Sequence, residues 1–202
     1  MCYAGVKCKE IYLKAHGEFP DVVYRAFDKR EYAEAFVAGN VRFANCNNYL
    51  NISDSRRDVT EGTGLYLKDD RSTTIRFCSN SIFIQSFHRT IESARDAGHG
   101  RYIIELHNPF NLATAIIKKL HDSSFKVFGG VEGVNIAYQR GDFKGEQLSS
   151  YQRSRLTYSE KPSSYSSEEE FRFVLITEHQ DKHQIFIQVS PNEGCKSIRH
   201  YA

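Results

Sequence analysis

The sequence predicts an α+β domain: a strongly bent pair of antiparallel sheets carrying a few short helices, with a cleft between the sheets. Three observations predict it. Strand formers are abundant, with 14 Phe, 12 Tyr and no Trp among 202 residues. Apolar residues recur mostly at a spacing of two, in short runs bounded by Gly, Asn, Asp and Ser. Stripes at helical spacing are few and short. The length accommodates one hydrophobic core and points to a single domain over residues 1–202.

The elements follow in order. Residues 1–20 mix charge, Gly and aromatics and read as an irregular arm or one short strand. Val22-Val23-Tyr24-Arg25-Ala26-Phe27 is the first firm strand, and alternation puts Arg25 on the face of Val23 and Phe27. Asp28 and Glu31 have the spacing of a capping box for a helix with the stripe Tyr32, Ala35, Phe36, ended by Gly39 or Asn40. Val41 to Ala44 resumes as strand. Residues 45–64 form a polar loop in which Arg57, Asp58 and Glu61 either neutralise one another at a solvated surface or fold over a cleft toward a polar ligand. Strands over 65–67 and 73–77 flank a turn. Ser81 to His88 is a further strand, with Ile82, Ile84, Ser86 and His88 on one face.

A short helix follows within 90–100, then a strand over 102–106 and a helix over 112–120 capped by Asn111. One or two strands span 125–138 around Gly129-Gly130. The polar connection 139–167 includes a helical stretch within 145–155 and a flexible end over 163–167. Phe171 to Ile176 is a buried strand, and Ile185 to Val189 closes the sheet as its hairpin partner.

Charge and cysteine usage narrow the function classes. With 27 Lys and Arg against 25 Asp and Glu the net charge is +2, which announces neither nucleic acid nor an anionic membrane surface. Five cysteines in irregular spacing, with no Cys-x-x-Cys, point to a reducing compartment. No apolar leader follows Met1 and no run reaches membrane-spanning length, so the expectation is a cytoplasmic protein with no membrane partner. The eight histidines are scattered without a metal-ligand spacing, so no metal is expected. Gly-x-Ser-x-Gly, Walker A and Rossmann patterns are absent.

The most informative stretch is Ser166 to Thr177, where Glu168, Glu169 and Glu170 run directly into an apolar strand. In extended chain Glu168 and Glu170 share a face and Glu169 takes the other. Either Glu170 pairs with Arg172 as a structural ion pair, or the carboxylates serve a site. An Arg in an early strand, a Ser in a middle strand and Glu-x-Glu at the start of a late strand occur in that order, as Tyr24-Arg25, Gln85-Ser86-Phe87 and Glu168-Glu169-Glu170.

On these motifs the chain resembles the Arg-Ser-Glu class of ADP-ribosyltransferases. Tyr24 to Phe27, the run from Arg56 to Gly62 and Glu-Glu-Glu-Phe-Arg-Phe also resemble a broad group of uncharacterised bacterial proteins. The first resemblance implies an ADP-ribosyltransferase-like fold and NAD as the bound co-substrate. The implied activity is cleavage of NAD and transfer of ADP-ribose to an intracellular macromolecule, protein or nucleic acid. The implied biology is a bacterial toxin or phage-defence effector, with an antitoxin as a further partner. Glu170 would stabilise the oxocarbenium-like ribose, Glu168 would act on the acceptor nucleophile, Arg25 would anchor the diphosphate or ribose, and Ser86 would position Glu170. Phe87 and His88 stand where the class continues Ser-Thr-Ser, which leaves Ser81 as a second candidate for the serine. Tyr24, Phe27 and Phe87 would wall the nicotinamide, with Arg57, Asp58 and Glu61 on the cofactor side. Two other readings stay open: a non-catalytic ligand- or partner-binding module, in which Arg25, Arg57, Asp58 and Glu61 form an ion network, and a metal-independent nuclease-like toxin using His88 with Glu170.

Overall fold

The computed structural model describes residues 13–50, 63–68, 71–76, 81–123, 125–138, 150–178, 182–191 and 195–200. The chain is α+β, with a mostly antiparallel open sheet and few helices. Its strands are β1 (Lys14–Gly17), β2 (Val22–Phe27), β3 (Asn40–Asn45), β4 (Thr63–Lys68), β5 (Arg71–Arg76), β6 (Ile82–His88), β7 (Tyr102–His107), β8 (Val127–Asn135), β9 (Glu170–Thr177), β10 (Gln184–Gln188) and β11 (Cys195–His200). Its helices are α1 (Arg30–Val37), α2 (Ile91–Asp96), α3 (Pro109–His121) and α4 (Ser150–Ser159).

Where the sequence suggests two bent sheets, nine strands among the described residues form one sheet, seven of them in the order β1-β8-β9-β6-β2-β7-β11 with β3 and β10 branching from β6, and β4 pairs with β5 as a separate hairpin. The sheet forks at β6. One edge of β6 pairs with β9 from Ile82↔Ile176 to His88↔Glu170. The other edge is shared: β3 pairs at Phe83 and Ile84, β2 pairs at His88, and β10 lies outside β3. Residues 85–87 therefore have no strand neighbour on that edge among the described residues.

Both faces of the central strands are covered, which explains the continuous apolar run from Phe173 to Ile176 in β9. On one face Phe83, Phe87, Phe171, Phe173 and Leu175 pack with Ala33 and Phe36 of α1 and with Leu112, Ile116 and Leu120 of α3. On the other, a smaller cluster joins Ile82, Ile84, Val134, Ile136, Val174 and Tyr158 of α4. Burial of each such Phe or Leu stabilises by roughly 1.5–3 kcal/mol. β8 is one strand broken by a register shift between Phe128 and Val131. Gly130 at this bulge has φ +104, and a Cβ there would collide with the Lys14 backbone.

Several expected boundaries move. The N-cap of α1 is Lys29, with no side-chain cap, so the Asp28–Glu31 capping box is not formed; Arg30 and Glu34 pair instead one turn apart at 2.8 Å. α3 opens on Pro109, whose fixed φ suits a first turn, rather than after Asn111. β10 pairs with β3, not with β9, because its alternating Ile185 and Ile187 complete the core beside Val41 and Phe43. Residues 163–167, expected to be flexible, lie in a 3-10 turn spanning Ser163–Glu168. β11, missing from the sequence reading, lies outermost against β7. No helix among the described residues is long and apolar enough to cross a membrane.

Candidate functional site

The three motif strands are neighbours in the sheet: β2 beside β6, and β6 beside β9. Arg25, Ser86 and Glu170 are therefore carried on adjacent strands although they are distant in the chain. Arg25 lies at the fork, where its Nη1 donates to the main-chain carbonyl of Ser86, a group on the edge of β6 that lacks a strand partner. The Gln85 amide, oriented with its oxygen toward the guanidinium, also accepts from Arg25 Nε at 3.0 Å. The same guanidinium lies 5.1 Å from the Phe27 ring centre and 5.9 Å from that of Phe87. Among the described residues these partners are neutral acceptors and aromatic rings.

Strand alternation sorts the remaining residues by face. Arg25, Phe27, Gln85 and Phe87 face the larger core. Tyr24, Ser86, His88, Glu170 and Arg172 face the other side, since Tyr24↔His88, Ser86↔Arg172 and His88↔Glu170 are directly opposed. Arg25 and Glu170 thus point to opposite faces, and Arg25 touches the strand that carries the second site at the Ser86 carbonyl. The expected aromatic wall is split in the same way: Tyr24 is on one face, Phe27 and Phe87 on the other, and Phe87 is 0% exposed. Arg57, Asp58 and Glu61 lie outside the described residues.

Around Glu170 the structure assembles a charged cluster. Glu170 is 3% exposed and Arg172 1% exposed. Arg172 donates to Glu170 through Nε at 2.7 Å and Nη2 at 3.1 Å, and through Nη1 to the Tyr158 carbonyl at 3.1 Å. Lys161 Nζ sits between two carboxylates, 2.6 Å from Glu168 and 2.7 Å from Glu170. The Glu170 N–H donates to the Tyr138 hydroxyl at 2.5 Å. Burial alone would raise the Glu170 carboxyl, but Arg172 and Lys161 outweigh it and hold the group well below the usual carboxylate range. Burial raises Glu168 against the opposing pull of Lys161. Burial also pushes the Tyr138 hydroxyl up to about 12.

Glu168 and Glu170 converge as expected, but by a different route. Glu168 ends the 3-10 turn and Glu169 adopts a left-handed φ of 41, so strand alternation begins only at Glu170. Glu169 faces away and its carboxylate accepts from Thr90 Oγ1 at 2.6 Å, tying the turn to the start of α2. Its carbonyl accepts from the Arg89 N–H at 2.9 Å. The residue beside it on β6, His88, bonds through Nδ1 to the Glu168 carbonyl at 2.8 Å. Ser81, the other serine candidate, stands at the far end of β6, where its carbonyl accepts from Thr177, so Ser86 is the serine near Glu170.

Lys161 and Tyr138 were not singled out from sequence. Lys161 is 8% exposed, a rare state for a lysine and one that pairing explains. It reaches the cluster because a short bridge pins its backbone: Ala137 donates to Ser159 and Lys161 donates to Ala137, at 2.9 and 3.0 Å. Nearby, the buried Glu132 of β8 accepts from two α4 side chains, the exposed Arg155 through Nε and the buried Tyr158 through its hydroxyl, both at 2.8 Å. One cavity among the described residues, about 240 Å³, is lined by His16, Phe128, Gly130, Glu132, Val174 and Ile176. It is smaller than the roughly 300–1,000 Å³ usual for ligand pockets. It also lies toward the opposite end of β9 from Glu170.

Compared with known proteins, the chain matches no family model, no curated protein and no solved structure.

Proposed function

We propose that the chain is an NAD-dependent mono-ADP-ribosyltransferase whose site lies at the fork of the sheet, on the face of Ser86, His88 and Glu170. The observation that carries this reading is the meeting of Arg25, Ser86 and Glu170 on three adjacent strands, with Arg25 bonded to the Ser86 carbonyl. The motif order noted in the sequence thereby has a spatial counterpart. NAD is the substrate cleaved at its nicotinamide–ribose bond. Glu170 is kept anionic at the start of β9 and contributes its charge to a ribose held beside the cluster. Because Arg172 and Lys161 engage both of its oxygens, that contribution is electrostatic rather than covalent. Arg25 acts indirectly, by holding β2 against β6, and Ser86 presents its hydroxyl on the reacting face. The acceptor is an intracellular macromolecule, and the biology is that of a bacterial toxin or defence effector.

A specific observation favours a second reading. Arg172 and Lys161 together engage both oxygens of Glu170, as a structural ion pair requires. Under that reading the chain is a non-catalytic binding module and the network serves stability. Incubation with labelled NAD and a cell extract, followed by separation of protein and nucleic-acid fractions, decides between the two. Label transferred to either fraction, with nicotinamide released, is expected for the transferase. NAD left intact, with no label in either fraction, overturns it.

A further inference from the structure

Among the buried titratable groups on this face, His88 has no part in the transferase chemistry described above. Its Nδ1 lies 2.8 Å from the Glu168 carbonyl. A carbonyl only accepts, so Nδ1 carries the proton and, in the neutral ring, the lone pair is at Nε2. Nε2 has no hydrogen-bond partner among the described residues, and the side chain is 5% exposed. The ring stands in the sheet between Tyr24 and Glu170, directly opposite both. This is the arrangement of an oriented base: one nitrogen anchored to a fixed acceptor, the other available to a proton. Glu168, the alternative, has its carboxylate 2.6 Å from Lys161 Nζ and is engaged there.

We propose that His88 is the general base that deprotonates the acceptor, which is therefore a group that must lose a proton on transfer, a hydroxyl being the simplest case. The inference rests on the transferase reading. In the step, the acceptor O–H bond breaks and its proton passes to His88 Nε2. The oxygen forms a bond to ribose C1′, and the C1′–nitrogen bond breaks with its electron pair leaving on neutral nicotinamide. A carboxylate acceptor has no proton to lose and needs no such base.

Burial lowers the His88 pKa, so the ring is neutral near pH 7 and competent to accept a proton. The Glu168 carbonyl bond and the Glu170 charge oppose that shift, while Arg25 and Lys161 reinforce it. Arg172 and Tyr24 also face this side of the sheet, and the His99 ring lies 5.4 Å away.

The discriminating variant is His88→Asn, whose amide N–H replaces the Nδ1 donor to Glu168 while the base is lost. Transfer is expected to fall about 100-fold or more, with NAD affinity kept and the acid limb of the wild-type pH–rate profile abolished. His88→Asn within threefold of wild type, with its acid limb intact, overturns the inference while leaving the transferase reading standing. A wild-type protein that releases no nicotinamide overturns both. Nitrogen-15 NMR of the wild-type imidazole gives a readout that does not depend on the variant folding. A neutral ring protonated at Nδ1 at pH 7 is expected, and a cationic ring or the opposite tautomer overturns the assignment.

Discussion

Arg25 and Arg172 are two arginines held on opposite faces of the same sheet, and their surroundings differ in kind. Among the described residues, Arg25 sits at the fork beside neutral acceptors and aromatic rings, where it donates to a carbonyl on a stretch of β6 that has no strand neighbour. Arg172 is 1% exposed and faces a carboxylate that is itself 3% exposed. The first arrangement completes a backbone ladder, and its cost when lost is that of a few hydrogen bonds. In the second, removing either partner leaves a buried charge behind. The sheet therefore has one arginine that serves its geometry and another that is locked into an electrostatic cluster, and substitutions separate them.

The largest effect is expected at the cluster. Glu170→Gln leaves Arg172 and Lys161 facing a neutral amide in a buried site, and stability should fall by about 3–5 kcal/mol in chemical denaturation. Loss of less than about 1 kcal/mol would mean that the pair is solvated and the comparison fails. The size of this effect means that activity loss in Glu170→Gln must be read beside its melting curve.

Acid should weaken the cluster before it weakens the fork. Glu170 and His88 are both shifted downward, so each contributes stability above its unfolded value and loses it as pH falls. The His88 contribution begins to go below its ordinary 6.5, and that of Glu170 below its ordinary 4.5. Glu168 is shifted upward and works the other way: its contribution is complete below 4.5 and is lost as pH rises through its folded value. Melting temperature against pH should thus decline in wild type below pH 4.5, and the decline should be shallower in Glu170→Gln. Parallel curves would remove Glu170 as the cause.

Arg25→Lys is expected to cost about 1–2 kcal/mol, because an ammonium cannot reproduce the guanidinium's several directed donors or its stacking. A loss as large as that of Glu170→Gln would make the fork an electrostatic centre too. Glu169→Gly should have the smallest effect, within about 0.5 kcal/mol, since the left-handed backbone favours glycine and offsets the exposed bond to Thr90. Differential scanning calorimetry of the two variants side by side checks both.

Much of this contrast was legible in the sequence. Strands β2, β6 and β9 are short runs rich in β formers, and the Glu170–Arg172 pair follows from alternation within one strand. Arg25 was placed correctly on the face of Val23 and Phe27. That Glu170 faces the other way depends on pairing register, which no single strand encodes. Lys161 was missed because its position comes from the Ala137 bridge, formed between two irregular segments. The pairing of β10 with β3 escaped for a related reason: adjacency in sequence suggested a hairpin with β9, while the sheet's fork left a free edge on β3. β11, with Lys196, Ser197, Arg199 and His200 among its residues, lacks an apolar alternation long enough to read.

The most direct measurement of the central claim is titration of the isotope-labelled protein with NAD, followed through backbone amide shifts. Saturable shifts centred on residues 24–27, 86–88 and 168–172 are predicted, which places the dinucleotide at the junction of β2, β6 and β9. Absence of saturable shifts at millimolar NAD, or shifts confined to residues remote from those three strands, would contradict it.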